Sequence, residues 1–348
     1  MTISATVVAD SISPAGKRLT TQVMTYPRKI HAELMTHRDF SRNASSSRAI
    51  PVAKMLADVR DNPAVPIHWG ANQPGMQARA ELEGVARDEA FLVWTKMCHD
   101  VMVGVERLVA IGLHKQEANR PLEPFGHITV LVTATEWPNF YGQRCSPQAE
   151  PHMERLAEAM LAAANASEPA YLEINEWHRP FITQKDIEWA EAAVIAAKKD
   201  GHNDIEHPEF TCVWWLLNKI SVARCARVSY KNHDQTDPNP AKDIELYEML
   251  LKNHHMSPFE HVARPDSLDN GLLNGNFKGW EQWRKFIGGE RIEKFDRYIV
   301  KSAERARMLR YNIVEPCGVY GCKTPRLKCD LMCPSCEEDY RKDPEAYK

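Results

Sequence analysis

The sequence has no apolar run long enough to cross a bilayer, no P-loop and no Gly-x-Gly-x-x-Gly turn. The first absence excludes a spanning helix. The second removes the two commonest glycine-rich phosphate cradles. The start, "MTISATVVADSISPAG", lacks a basic segment followed by an apolar core, so no secretion signal is expected and the cytoplasm is the expected compartment. An excess of charge of one sign is missing as well. The 44 Lys and Arg against 47 Asp and Glu leave a net charge of −3, which argues against a protein that coats nucleic acid. Neither an internal repeat nor a low-complexity tract occurs. Cysteine is sparse over most of the chain. Cys98, Cys145, Cys212 and Cys225 are scattered and read as reduced thiols, whereas the other five of the nine crowd into the last 32 residues.

What is present suits a folded enzyme-sized protein. The 348 residues, 43% hydrophobic and 26% charged, allow one large domain or two. "KRLTTQVMTY" alternates Leu19, Thr21, Val23 and Thr25 and reads as a strand. Pro27 is expected to open a helix, "PRKIHAELMTHR", with Ile30 and Leu34 on one face and His37 and Arg38 at its end. Further helices are expected from Pro51, over 79–113, near 184–198, and over 214–227, 240–253, 278–287 and 290–309. "HITVLVTAT" reads as a buried strand. Two helical pieces broken by Pro147 follow it, and residues 165–212 form a Pro- and aromatic-rich insertion.

The stretch "THRDFSRNASSSRAIP" carries the first chemical signal. It crowds Arg38, Ser41, Arg42, Asn43, Ser45, Ser46, Ser47 and Arg48 together with no acidic residue after Asp39. Small hydroxyls beside forked guanidiniums make a cradle for a phosphate or another planar anion, and a solvated serine-rich loop has the same composition. Three more blocks stand out: "ANRPLEP" with Arg120, "EWPNFYGQR" with Asn139 and Arg144, and residues 225–261 with "ARVSY" and "SPFEH".

Together these blocks resemble those of the flavin-dependent thymidylate synthases. The family's arginine-rich signature stands here as Thr36-His37-Arg38, Ser41, Asn43-Ala44, Ser46 and Arg48. "ARVSY" and "SPFEH" stand verbatim at 226–230 and 257–261. The family's Arg-x-x-Leu-Pro element is Arg120 to Pro124, with Glu123 in the leucine position. Thr36 and Ala44 replace an arginine and a glutamate of the family pattern, Glu33 a glutamine, and Ala149 to His152 departs from the usual Ala-Gln-x-Glu. The block order also differs, since "ARVSY" and "SPFEH" here follow the arginine-rich block. A circular permutation accounts for that order, because the termini of compact domains often lie close together.

The resemblance implies an α+β fold, an antiparallel sheet with long helices, over residues 1–310. It also implies a homotetramer and binding of a deoxynucleotide and a folate. The implied reaction is reductive methylation of dUMP with FAD, NADPH and methylenetetrahydrofolate and no enzyme nucleophile. Arg144 then matches the guanidinium that activates the pyrimidine. Glu33, Ser46, Ser47, Arg48 and Arg120 match nucleotide-binding positions, and His37, Arg38, Asn43, Asn139, His255 and Ser257 match cofactor-facing ones. A pyrimidine deoxynucleotide hydroxymethylase or dCMP methylase is the alternative that Glu33 and Glu150 motivate, because carboxylates accept hydrogen bonds from an exocyclic amine. The alternative of another class is a zinc-ribbon nucleic-acid-binding protein. Cys98-His99 lies in a long helical pattern and is expected to be core, not a nucleophile. In the tail, residues 311–348, Cys317, Cys322, Cys333 and Cys336 have the spacing of a structural zinc site, with Cys329 as a competing ligand.

Overall fold

The computed structural model describes residues 3–201, 212–228, 238–266, 271–287, 314–316 and 325–327. Strand β1 (Ser4–Ile12) and strand β2 (Arg18–Pro27) form a hairpin. Strand β3 (Ser41–Ala44), strand β4 (His127–Ala134) and strand β5 (Ala170–Tyr171) complete a sheet of order β3-β4-β2-β1-β5. The described helices are α1 (His31–Leu34), α2 (Val52–Asp61), α3 (Gly84–Ala110), α4 (Lys115–Ala118), α5 (Pro138–Arg144), α6 (Pro151–Asn165), α7 (Gln184–Lys199), α8 (Val213–Arg227) and α9 (Pro240–Lys252). Strand β6 (Ala263–Pro265) pairs with strand β7 (Trp280–Gln282). The described residues of a separate unit, Arg291–Lys348, are strands β8 (Val314–Pro316) and β9 (Pro325–Leu327), paired antiparallel. The cysteines read as zinc ligands and the helix expected over 290–309 lie outside the described residues.

The alternation seen in β2 sorts its side chains between two covered faces. Met24 and Tyr26 join Ile128, Val130, Val132 and Ala134 of β4 beneath Met153, Leu156, Ala157 and Met160 of α6. Each buried Leu or Met there contributes about 1.5–3 kcal/mol. On the opposite face Leu131 and the half-buried Val23 pack with Cys225 and Val228 at the end of α8. Helix α6 starts sharply. Pro151 fixes its first turn, and the Glu150 carboxylate accepts the amides of His152 and Met153.

The sheet is mixed, not purely antiparallel. Ser11–Ile12 of β1 pairs parallel with β5, at the start of the Pro- and aromatic-rich insertion. The expected helix from Pro27 shrinks to a 3-10 turn, Arg28–Ile30, and the single turn α1. The Ile30/Leu34 face is buried as the spacing predicts. The chain then leaves the helix because Thr36 Oγ1 takes the Glu33 carbonyl and Arg42 Nη1 takes those of Met35 and His37.

Part of the serine-rich loop is strand, since Ser41 and Asn43 pair opposite Thr133 and Leu131 of β4. The helix expected over 278–287 is β7 and a 3-10 turn, Trp283–Lys285. Pairing with β6, and Trp280 Nε1 donating to the Lys17 carbonyl, override its helical spacing.

Candidate functional site

Helix α5 begins with Pro138 and delivers Arg144 at its last position. Arg144 Nε donates to His37 Nε2 (3.0 Å), Nη2 reaches Thr36 Oγ1 (3.4 Å), and Nη1 lies 3.9 Å from Glu33 Oε2. Residues 107 positions apart in sequence thus meet at one point. His37 is wedged against Phe140 edge-on and stacked on Phe40. Burial first, then Arg144 and Arg42, hold its imidazole below the usual histidine range, so it stays neutral and accepts from Arg144.

Two carboxylates approach this point and differ in what they already hold. Both Glu150 oxygens are committed, to the His152 amide and ring (each 2.7 Å) and the Met153 amide (3.0 Å). Burial pushes the Glu150 carboxyl up, but the His152 hydrogen bond and the other partners outweigh it and leave it below the usual range. Among the described residues Glu33 has only the long approach to Arg144, and its side chain is 40% exposed. Partial burial and then the charge of Glu150 push its carboxyl above the usual range, against the opposite pull of Arg144, His152 and Lys29.

The expected phosphate residues divide. Ser46 and Arg48 are exposed. Ser47 is 1% exposed, and its hydroxyl donates to Glu123 Oε1 (2.5 Å). Arg120 Nη1 donates to the same oxygen (3.1 Å), and Arg28 Nη1 lies 3.9 Å from it. On the Ser47 and Arg120 side, the expected anion cradle is occupied by the Glu123 carboxylate. In this arrangement the single hydroxyl hydrogen of Ser47 is given to Glu123. Asn119 Nδ2 clamps the Ser47 and Ile50 carbonyls (2.7 and 2.9 Å). Arg28 and Asn119 escaped sequence reasoning. The only local signal for either was adjacency to a recognised block.

The expected cofactor residues differ in what their side chains already hold. Asn43 Nδ2 is spent on the Cys225 carbonyl (2.6 Å), and the exposed Asn139 accepts from Gln143 Nε2 (3.1 Å) one helical turn away. Arg38, His255 and Ser257 are exposed and carry no side-chain hydrogen bond among the described residues. Strand β3 packs against the 3-10 turn Ser257–His261, which brings the "SPFEH" block to the sheet edge that carries Asn43.

His261 ends that block and is fully buried, in a structural position. Its Nδ1 meets Thr133 Oγ1 (2.8 Å), which meets Thr21 Oγ1 (2.7 Å). Thr21 in turn meets His178 Nε2 (2.7 Å), whose Nδ1 meets Ser11 Oγ (2.8 Å). Cys98 is buried against α2, as core. No group of His, Cys, Asp and Glu suited to a metal ion occurs among the described residues.

No protein-family model matches the chain, and no curated protein matches it. Among solved structures it is similar to the UMP/dUMP methylase PolB from Streptomyces cacaoi, solved with 5-Br UMP. That likeness has 15% identity and a TM-score of 0.37, and covers 47% of this chain and 88% of that one. It is also similar to thymidylate synthase X from Helicobacter pylori, solved with FAD and dUMP. There the identity is 18% and the TM-score 0.29, over 42% of this chain and 67% of that one.

Proposed function

We propose that the chain is an enzyme of the flavin-dependent thymidylate synthase class, which transfers a one-carbon unit reductively to carbon 5 of a pyrimidine deoxynucleotide. The observation that carries this reading is the meeting of Arg144 with Thr36, His37 and Glu33. Two of the blocks that resemble the family, the arginine-rich one and the one ending at Arg144, meet there on one guanidinium. A guanidinium stays protonated at any working pH, so it stabilises negative charge that develops on the pyrimidine oxygens and ring nitrogen. His37, kept neutral, holds Nε and leaves hydrogens on both Nη atoms. Ser46, Arg48 and the remaining hydrogens of Arg120 would hold the 5′-phosphate at the outer half of the cradle.

The exposed Arg38, His255 and Ser257 fit a flavin better than Asn43 and Asn139, whose amides are engaged. When bound, reduced FAD supplies the hydride. The homotetramer, NADPH and methylenetetrahydrofolate remain part of the proposal through the resemblance. The four-cysteine zinc site is proposed from the cysteine spacing alone, and metal analysis of the purified chain decides it.

The test is incubation of the protein with FAD, NADPH, methylenetetrahydrofolate and either dUMP or dCMP, with the nucleotide then weighed by mass spectrometry. A methyl gain on either supports the reading. A hydroxymethyl gain moves it to the hydroxymethylase alternative. No product from either nucleotide overturns it.

A further inference from the structure

The Arg144–Glu33 pair has a hydrogen-bonding polarity that selects between pyrimidines. Nε of Arg144 is taken by His37 and Nη2 reaches Thr36 with one hydrogen, so the Nη1–Nη2 edge of the guanidinium keeps hydrogens to give. Next to Nη1, at 3.9 Å, is Glu33 Oε2, an acceptor that makes no hydrogen bond among the described residues. The edge therefore runs donor, donor, acceptor. Cytosine presents the complement: O2 and N3 accept, and the exocyclic N4 amine donates. Uracil presents O2 as acceptor, N3–H as donor and O4 as acceptor. Its N3–H would face a guanidinium hydrogen, and its O4 would face a carboxylate. Each mismatch leaves desolvated like groups opposed, and this is how sites reject a close analogue.

Resting on the site assignment above, we infer that the base read by this pair is cytosine, so that dCMP is preferred to dUMP, with Glu33 accepting from the N4 amine. Glu150, the other carboxylate near the site, already accepts on both oxygens, which leaves Glu33 the freer acceptor. The phosphate and deoxyribose are common to the two nucleotides, so their contributions cancel in the comparison. A hydrogen bond to a charged group contributes about 1.5–3 kcal/mol, which corresponds to about 10- to 100-fold in affinity.

The experiment is calorimetric titration of dCMP and dUMP into the FAD-loaded full chain, with the wild type and with Glu33→Gln. The variant keeps the shape, and its amide can turn an N–H toward O4. Wild type should bind dCMP about 10- to 100-fold more tightly than dUMP. Glu33→Gln should weaken dCMP and strengthen dUMP until the gap closes or reverses. Preference for dUMP in the wild type, with turnover intact, overturns this inference and leaves the proposed function standing. So does a gap that Glu33→Gln leaves unchanged. Tightening of dUMP alone as pH falls also overturns it, because a protonated Glu33 would then be donating to O4. Failure of both nucleotides to bind overturns the site assignment and this inference with it.

Discussion

Replacing Thr133 by Val removes one hydroxyl from the middle of the buried Ser11–His178–Thr21–Thr133–His261 chain and leaves the shape of the side chain. Thr133 has no exposed surface, and its Oγ1 makes two short contacts, 2.7 Å to Thr21 Oγ1 and 2.8 Å to His261 Nδ1. Each hydrogen bond is worth about 1 kcal/mol net, and a buried polar atom left without a partner costs about 1–3 kcal/mol. Thr21 keeps His178, but His261 keeps nothing, because its Nε2 is already buried without a partner. The expected destabilisation is therefore about 2–4 kcal/mol. Thr25→Val is the control. Its hydroxyl pair with Thr129, on the same two strands, is 3.3 Å long and only partly buried, so about 1 kcal/mol or less is expected. Urea unfolding followed by tryptophan fluorescence reads both, the shift in midpoint at constant slope giving the change in stability. If Thr133→Val proves no more destabilising than Thr25→Val, the hydroxyl chain is not what ties the His261 turn and the His178 segment to the sheet.

The same two histidines set an acid limit. Burial pushes His178 and His261 down to about 3 from 6.5. The unfolded chain gains protons on these rings below about pH 6.5 and the folded chain does not until about pH 3, so stability is full above that window and is lost as pH falls through it. Urea midpoints should decline from pH 7 to pH 4, with a shallower decline in His178→Gln; equal slopes would remove the histidines from the cause. Asp243→Asn strips a fully buried carboxylate from Arg224 (3.0 Å) and Arg227 (2.8 Å) and should cost about 3 kcal/mol in the same assay. A change under about 0.5 kcal/mol would mean that Asp186, also paired with Arg224, suffices. Arg144→Gln should lower turnover about 10²- to 10³-fold in the mass-spectrometric assay; undiminished turnover removes Arg144 from the chemistry.

Local sequence determined the parts that local physics controls. The period-two run of β2, the β-branched run of β4, the Pro-led start of α2, the proline break between α5 and α6 and the long α3 were legible, because side-chain period and proline geometry act within a few residues. The residue types at 36–48 read as an anion cradle, while the roles expected of Arg120 and Arg144 came from the resemblance of their blocks to a family. Strand β1 escaped notice, and β3 was read as loop, because strands are completed by distant partners such as Leu131 and Thr133. Only the tertiary structure joined Arg144 to His37 and Glu33 across more than a hundred residues. Tertiary packing alone brought Ser47 and Arg28 to the Glu123 carboxylate, whereas Glu150 meets His152 within the local N-cap of α6. Hydrogen-bond partners far apart in the chain are fixed by packing, and the competition among nearby acceptors for one donor exists only once the chain has folded.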